Sequence, residues 1–164
     1  LSTTGGASSA NNPTPVSAGG QTGTTVKGVY VTDSDWHAIV PGTESTVTNC
    51  RIENCDRDAV NPGPRSKIIG NYMNPGEKGM FVGGDDCIVV NNVIIPGTGH
   101  GVQTSGNDLV IGGNRIINAG NDGIFISSAD CIVFNNRISG STNQDIDNDG
   151  SGTTLDGNLA GASN

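Results

Sequence analysis

The chain has few aromatic residues, few charged residues and no long apolar run. Aromatic residues make up 4% and charged residues 15% of its 164 positions. No stretch approaches the roughly 18 consecutive apolar residues of a membrane-spanning helix, which argues against a membrane protein. Basic residues are half as numerous as acidic ones, 8 against 16, and the net charge is −8. Because an acidic chain repels phosphate backbones, the composition also argues against nucleic acid as a partner.

What the sequence has instead is a repeat of 21 or 22 residues that runs from residue 26 almost to the end. In each copy one apolar residue is followed, five positions later, by a second. The first positions are Val26, Val47, Ile68, Val89, Ile111, Val133 and Leu155, and the second are Val31, Ile52, Met73, Ile94, Ile116, Ile138 and Ala160. A third apolar position, thirteen after the first, comprises Ile39, Val60, Phe81, Val102, Ile124 and Ile146. A short unit repeated this often predicts a solenoid.

The apolar stretches within each repeat are too short for helices, and turn residues separate them. Three strands and three turns per coil use 21 or 22 residues and stack the strands in parallel at ~4.8 Å. We therefore predict an all-β fold, a right-handed parallel β-helix (solenoid) of about six coils, over residues 26–164. Residues 1–25, rich in Gly, Ser and Thr, are predicted to form an arm or linker. Because the sequence begins with Leu1 rather than Met, we expect a fragment or a processed product.

The four cysteines do not follow a zinc-binding spacing. Cys87 and Cys131 each precede a first apolar position by two residues, where a small buried thiol fits. One coil lies between them, so we expect them to be too far apart for a disulfide. A pairing of Cys50 with Cys55 is the one that the spacing leaves open.

Asparagines recur three residues after the first apolar position, at Asn71, Asn92, Asn114, Asn136 and Asn158. A side-chain amide can satisfy backbone groups in a buried turn and can bond to the asparagine of the next coil. This asparagine ladder, with its aliphatic stacks, resembles the pectin-lyase-like β-helix superfamily, and most closely its bacteriophage tailspike and appendage segments. The resemblance covers residues 26–160 and implies the fold. It leaves function open, because this fold carries lyases, hydrolases, epimerases and binding rods.

One position, eleven after the first apolar residue, is rich in titratable groups: it comprises His37, Asp58, Gly79, His100, Asp122 and Gln144. The register places His100 beside Asp122, one strand spacing apart. A carboxylate that orients an imidazole permits general acid–base catalysis, so these two are the candidate catalytic residues. The alternative is a solvated ion pair at a strand entrance. Arg57 and Lys78 flank this position and are candidate ligands for an acidic sugar.

The segment Asp145-Ile146-Asp147-Asn148-Asp149-Gly150 resembles the opening of a calcium loop. With Ile146 in the core, Asp145 and Asp147 are expected to point outward together. These carboxylates and Asp149 predict either a calcium site or a solvated last coil that blocks edge-to-edge association. No other cofactor is expected.

Two outward faces are predicted to be apolar. The outer side of the first strand carries Ala38, Val40, Ala59, Met80, Val82, Gly101 and Phe125, and that of the second carries Ile69, Ile88, Val90, Val110, Ile132 and Phe134. Monomers rarely expose such continuous patches, so burial against another chain is expected. The resemblance to phage tailspikes implies a homotrimer, whereas covering loops or another part of the protein would hide one face instead.

These features favour a structural, receptor-contact module of a virion appendage, a tailspike or tail fibre, at the virion surface. In this interpretation the rod docks to host-surface polysaccharide, and Trp36 is its candidate aromatic platform beside Arg57 and Lys78. The alternative is a secreted or virion-borne polysaccharide depolymerase, a lyase or glycoside hydrolase. The sequence leans away from an enzyme but does not decide the point, and it names neither the glycan nor the host.

Overall fold

The structure, a computed structural model, describes residues 16–161. Short strands separated by turns make up the regular structure there, and no helix in this part of the chain is long and apolar enough to cross a membrane. The strands are β1 (Val16–Ser17), β2 (Thr25–Lys27), β3 (Tyr30–Ser34), β4 (Ile39–Val40), β5 (Thr46–Thr48), β6 (Arg51–Cys55), β7 (Lys67–Ile69), β8 (Tyr72–Asn74), β9 (Met80–Val82), β10 (Ile88–Val90), β11 (Val93–Ile94), β12 (Val102–Thr104), β13 (Val110–Gly112), β14 (Arg115–Ile117), β15 (Ile124–Ile126), β16 (Ile132–Phe134), β17 (Arg137–Ser139), β18 (Ile146–Asn148), β19 (Thr154–Asp156) and β20 (Leu159–Ala160).

Each strand pairs in parallel with the strand one coil away, so the strands form three sheets that run along the solenoid. The second sheet has the order β2-β5-β7-β10-β13-β16-β19, and the third has β3-β6-β8-β11-β14-β17-β20. The first sheet consists of the pair β1-β4 and the set β9-β12-β15-β18, which are linked by single bridges through Val60. The predicted parallel β-helix is confirmed, with about seven turns of about 22 residues.

The core is a set of interior columns, one from each sheet. Ile68, Val89, Ile111 and Val133 of the second sheet pair in register and are fully buried. In the first sheet the predicted column was wrong at one position, because Met80 rather than Phe81 pairs with Val102. The connection from β8 to β9 is one residue shorter than its counterparts, which shifts the register by one. A one-residue slip exchanges the two faces of a strand, so Phe81 points outward and Met80 is buried.

The recurring asparagines occupy the tight turn between the second and third sheets. The Asn92 amide nitrogen donates to the Asn114 side-chain oxygen at 3.0 Å and to the Ile68 carbonyl at 2.9 Å. The same oxygen accepts the Asn92 backbone N–H at 3.0 Å. Equivalent bonds link Asn114 to Asn136 and Asn136 to Asn158. Each side chain therefore satisfies backbone groups of a buried turn and joins two coils.

Residues 16–25 lie on the first coil. Val16 and Ser17 pair with β4, and Thr22 forms a bridge with Thr43. The division into an arm, 1–25, and a domain, 26–164, stays a prediction, since residues 1–15 and 162–164 lie outside the described residues. All four cysteines are free, buried thiols, so the Cys50–Cys55 pairing is not formed.

Candidate functional site

A row of polar side chains runs along the start of the first-sheet strands, two residues before each inward apolar residue. This charged column comprises His37, Asp58, Lys78, His100, Asp122 and Gln144, and backbone hydrogen bonds link each coil to the next along it. The sequence register had placed Gly79 where Lys78 lies. The short β8–β9 connection causes this error too, since it moves every later residue by one position until the next turn. The charged column therefore has the cation Lys78, rather than a glycine, between Asp58 and His100.

His100 and Asp122 form the closest His–carboxylate contact of the charged column. His100 Nδ1 lies 3.1 Å from Asp122 Oδ2. Asp122 Oδ1 accepts hydrogen bonds from the Asn143 amide at 2.7 Å and from the Gln144 backbone N–H at 2.9 Å. The His100 ring stacks on Phe125, with centroids 5.1 Å apart. The carboxylate is thus held in place beside the imidazole, at the adjacent position that the repeat spacing predicts.

The surroundings of His100 favour its neutral form by lowering its pKa. Burial lowers the pKa of His100 below its ordinary value, Asp122 opposes that shift, and Lys78 adds to it. A neutral imidazole with one nitrogen against a carboxylate is the form that accepts a proton. Its Nε2 lies 3.4 Å from the Asn121 amide, on the side away from Asp122.

The other end of the charged column contains a second His–Asp pair, which has a lysine beside it. His37 Nδ1 lies 3.2 Å from Asp58 Oδ2, and Lys78 Nζ is 3.7 Å from Asp58 Oδ1. Burial is the main cause of both pKa shifts, which lower the pKa of His37 and raise that of Asp58. Asp58 is nevertheless flanked by a cation on one side and an imidazole on the other. This end is a short ion network rather than an isolated pair.

The predicted sugar-binding residues lie beside this network. The Arg57 guanidinium sits 4.1 Å above the centre of the Trp36 ring, and its Nε is 3.6 Å from Glu77 Oε2. Lys78 Nζ is 2.6 Å from Glu77 Oε1. Trp36 is 42% exposed. The structure therefore brings Trp36, Arg57 and Lys78 together, with Glu77 as the acidic residue that links the two cations.

The three acids of the last coil are separated, contrary to the calcium-loop prediction. Asp145 points inward and is 6% exposed, whereas Asp147 is an outward residue of β18 and Asp149 is exposed on the following turn. Asp145 takes the interior corner that Ala38, Ala59, Gly79, Gly101 and Gly123 take in the other coils. There is room for it because Ala160 replaces the isoleucine of the third sheet at this level. Within residues 16–161 no group of three or more His, Cys, Asp or Glu side chains is placed to hold a metal ion.

A family model described as "Right handed beta helix region" matches residues 11–160. The chain belongs to this right-handed β-helix family. Among solved structures, the Geobacillus virus E2 protein ORF18 is similar with a TM-score of 0.64 and 14% identity over 83% of this chain. A mutant tailspike protein of the E. coli bacteriophage HK620, in complex with a pentasaccharide, has a TM-score of 0.44 and 18% identity over 82% of this chain.

This β-helix spans 32% of the first structure's chain and 36% of the second's, about a third of their length. The search of curated protein sequences found no match. At these identities the likeness to ORF18 shows the shared fold alone, so the activity of the chain has to be argued from its own residues.

Only one of the two predicted apolar faces of the β-helix is present. On the first sheet, Ala38, Ala59, Met80, Val82 and Gly101 are buried, so that prediction was wrong. The residues that do point outward there are mixed, namely Val40, Asn61, Phe81, Gln103, Phe125 and Asp147. Met80 and Val82 point inward because of the one-residue register shift. Ala38, Ala59 and Gly101 are buried because they lie in the tight corner before each strand. On the second sheet, Ile69, Ile88, Val90, Val110, Ile132 and Phe134 are half-buried or exposed, as predicted; we call them the apolar face.

Two contacts of His100 and Asp122, those with Phe125 and Asn143, are not among the ones predicted from the sequence. Asn143 lies 22 residues after Asn121, and Phe125 lies 22 after Gln103, so both follow the repeat. The spacing alone could have placed them beside the pair. It could not have shown which of their rotamers reach it.

The lowered pKa of His100 can be checked by NMR. We expect its pKa in the folded β-helix to lie below 6.5, and Asp122→Asn to lower it further, because that change removes the carboxylate that opposes burial. Below pH 6.5 the unfolded chain then binds a proton that folded His100 does not, so this residue makes stability fall as the pH drops. Histidine ring resonances followed against pH measure the pKa. The matched control is Asp130→Asn at an exposed turn, and an upward shift with Asp122→Asn would contradict the geometry.

Proposed function

We propose that this β-helix is a structural and receptor-contact segment of a virion appendage of the tailspike or tail-fibre type, which works as a homotrimer outside the cell. The observation that carries the proposal is the apolar face of the second sheet. The virion setting is part of the proposal and draws on the viral source of ORF18, which shares the fold.

The apolar face has the layout of an interface. Its central coils carry large aliphatic and aromatic side chains, of which Ile132 is 49% exposed. The Phe134 ring lies over Gly112 of the neighbouring coil. Both ends of the sheet are polar, with Thr25, Lys27, Thr46 and Thr48 at one end and Thr154 and Asp156 at the other. An apolar centre with a polar rim is typical of surfaces that bury against another chain.

The rest of the β-helix suits a rigid extracellular rod. Three sheets of parallel strands and the row of bonded asparagines connect every coil to its neighbours. Proteolysis requires local opening, and such opening breaks contacts on both sides of a coil. In this proposal the half-exposed surface around Trp36, Arg57 and Lys78 meets host-surface polysaccharide.

The test is to place charges in the apolar face. We expect the double variant Val110→Asp, Ile132→Asp to fall from a trimer to a monomer, because two carboxylates would have to lose water at the interface. Both side chains point outward, so the fold should survive, and circular dichroism checks that it does. Light scattering at equal concentrations measures the molar mass.

The control for this test is Thr154→Asp, which adds a charge directly beside Ile132 but on the polar rim. It should leave the molar mass unchanged. A folded double variant with the same mass as the wild type would show that another surface holds the chains together, and the proposal would fail.

A second candidate function, polysaccharide depolymerisation, rests on the close contact of His100 with Asp122. The imidazole Nδ1 contacts a fixed carboxylate, and the neutral ring can accept a proton from a substrate hydroxyl or sugar carbon. The measurement is release of unsaturated or reducing ends from a panel of acidic polysaccharides. Cleavage that is lost on His100→Ala supports an enzyme, whereas an inactive wild type or an equally active variant rejects this site.

A further inference from the structure

The outer side of the third sheet carries a second set of basic residues, on a different sheet from the charged column. The first residue of each strand there points outward, and together they form what we call the arginine column: Tyr30, Arg51, Tyr72, Val93, Arg115, Arg137 and Leu159. Three of the chain's eight basic residues are on this one face.

Arg115 and Arg137 differ from the other arginines of the chain. Arg51 contacts Glu53 at 2.7 Å, Arg57 contacts Glu77 at 3.6 Å, and Arg65 contacts Glu44 at 2.9 Å. Within residues 16–161, Arg115 and Arg137 have no carboxylate within ion-pair distance. The reason is local: the position two residues on, where Arg51 has Glu53, holds Ile117 after Arg115 and Ser139 after Arg137.

The two unpaired guanidinium groups are also neighbours. Arg115 and Arg137 pair directly across β14 and β17, and both are exposed. Their Cα atoms are about one strand spacing apart, roughly 5 Å. Like charges directly opposite each other on a sheet are destabilising. In a chain with 16 acidic residues, two adjacent arginines without a counter-ion indicate that an anion from outside the chain completes the arrangement.

The surface around the pair favours an anionic sugar over a bare ion. Half-buried Ile117, Ile95 and Val93 lie next to the arginines, and Tyr72 continues the column beyond Val93, with the Arg51 guanidinium over its ring at 4.8 Å. Apolar and aromatic side chains of this kind pack against the faces of sugar rings, while a guanidinium binds carboxylate or sulfate through two parallel hydrogen bonds. Successive coils are about 4.8 Å apart, a distance comparable with the length of one sugar ring, so a linear glycan can lie along the solenoid axis.

We propose that the arginine column binds an acidic polysaccharide, with Arg115 and Arg137 holding its carboxylate or sulfate groups and Val93 and Ile117 contacting its rings. The inference deepens the proposed receptor contact and rests on it, but it names a different face from the one around Trp36. A nucleic acid is a poorer fit, because two cations on a chain of net charge −8 do not offset a continuous phosphate backbone.

The experiment compares binding of polygalacturonate, neutral dextran and duplex DNA by isothermal titration calorimetry at one salt concentration. The wild type should bind polygalacturonate and neither of the others. Arg115→Gln and Arg137→Gln should each weaken binding by about tenfold, the usual effect of losing a hydrogen bond to a charged group, and the double variant should lose it. Arg65→Gln is the matched control, since it also removes one exposed arginine but from a turn outside the third sheet.

The outcomes separate this inference from the proposed function. An equal loss in Arg65→Gln would show a general charge effect, and both tight binding of DNA and no binding of polygalacturonate would overturn the inference. Loss of binding in Trp36→Ala with none in the arginine variants would place the glycan on the other face and overturn it as well. The molar mass of the same samples tests the trimer independently, so a trimer that does not bind polygalacturonate rejects the arginine column and leaves the proposed interface standing.

Discussion

Replacing Asn114 with alanine is expected to lower the free energy of unfolding by about 3 kcal/mol. The Asn114 side-chain oxygen accepts two bonds from Asn92, and its amide donates to Val89 O and to the Asn136 side chain, all between 2.9 and 3.0 Å. The turn is buried, so water does not replace these bonds, and the Asn92 backbone N–H is left without its partner. A buried unsatisfied group costs about 1–3 kcal/mol, and here the deletion affects both adjacent coils.

Urea unfolding followed by circular dichroism measures the change. The control is Asn91→Gly, which removes an asparagine from an exposed turn where the backbone is left-handed, with φ of 58°, a conformation that glycine adopts freely. That variant should stay within about 1 kcal/mol of the wild type. Equal stability of Asn114→Ala and Asn91→Gly would mean that the bonded asparagines do not hold the coils together.

Gly101→Ala is the second change with a large expected effect, a loss of about 2–3 kcal/mol. Gly101 lies in the tight corner between the third and first sheets, next to His100. An added Cβ would lie 2.5 Å from the Gly123 carbonyl oxygen and 2.5 Å from the Ile116 Cγ2 atom. The first of these is a backbone atom of the neighbouring coil and cannot rotate away, so the two coils have to separate.

Thermal unfolding of Gly101→Ala reports this loss as a lower midpoint. Gly19→Ala is its control, because a Cβ at Gly19 meets nothing closer than 3.8 Å. The separation of the coils should also disturb His100, whose carbonyl pairs with the next coil at Gly79, and its NMR resonance should shift. Wild-type stability for Gly101→Ala would show that the corner is looser than these distances state.

The fold was accessible from the sequence because every coil repeats one pattern. Positions such as Val89, Ile111 and Val133 need only a spacing to be placed in a common column, and the asparagines follow from the same spacing. What the spacing could not supply was the length of each turn. One residue fewer between Met73 and Met80 moved Lys78 into the charged column and Phe81 to the surface.

The candidate site was predicted in part for the same reason. His100 and Asp122 lie 22 residues apart in an undisturbed stretch of the repeat, so their contact followed from the period. The inward position of Asp145 was not predicted, because in an alternating strand pattern the residue next to an inward Ile146 points outward. The corner before the first-sheet strands turns that position inward, and the exchange of isoleucine for Ala160 decides whether a carboxylate fits there.

The unpaired arginines show another limit of the pattern. The repeat places Arg115 and Arg137 side by side, but only the structure shows that every other arginine has a carboxylate within 4 Å, whereas these two have none among the described residues. The Arg51–Glu53 pair is local, but the Arg57–Glu77 and Arg65–Glu44 pairs join different coils and depend on side-chain contacts that the period does not encode.

The claim that most of the functional account depends on is that the apolar face of the second sheet is covered by further copies of the chain. Light scattering of the wild-type protein tests it most directly. The account predicts a molar mass three times that of the single chain of 16.6 kDa. A mass of 16.6 kDa at every concentration would leave that face in water, and would contradict the proposal of a trimeric appendage.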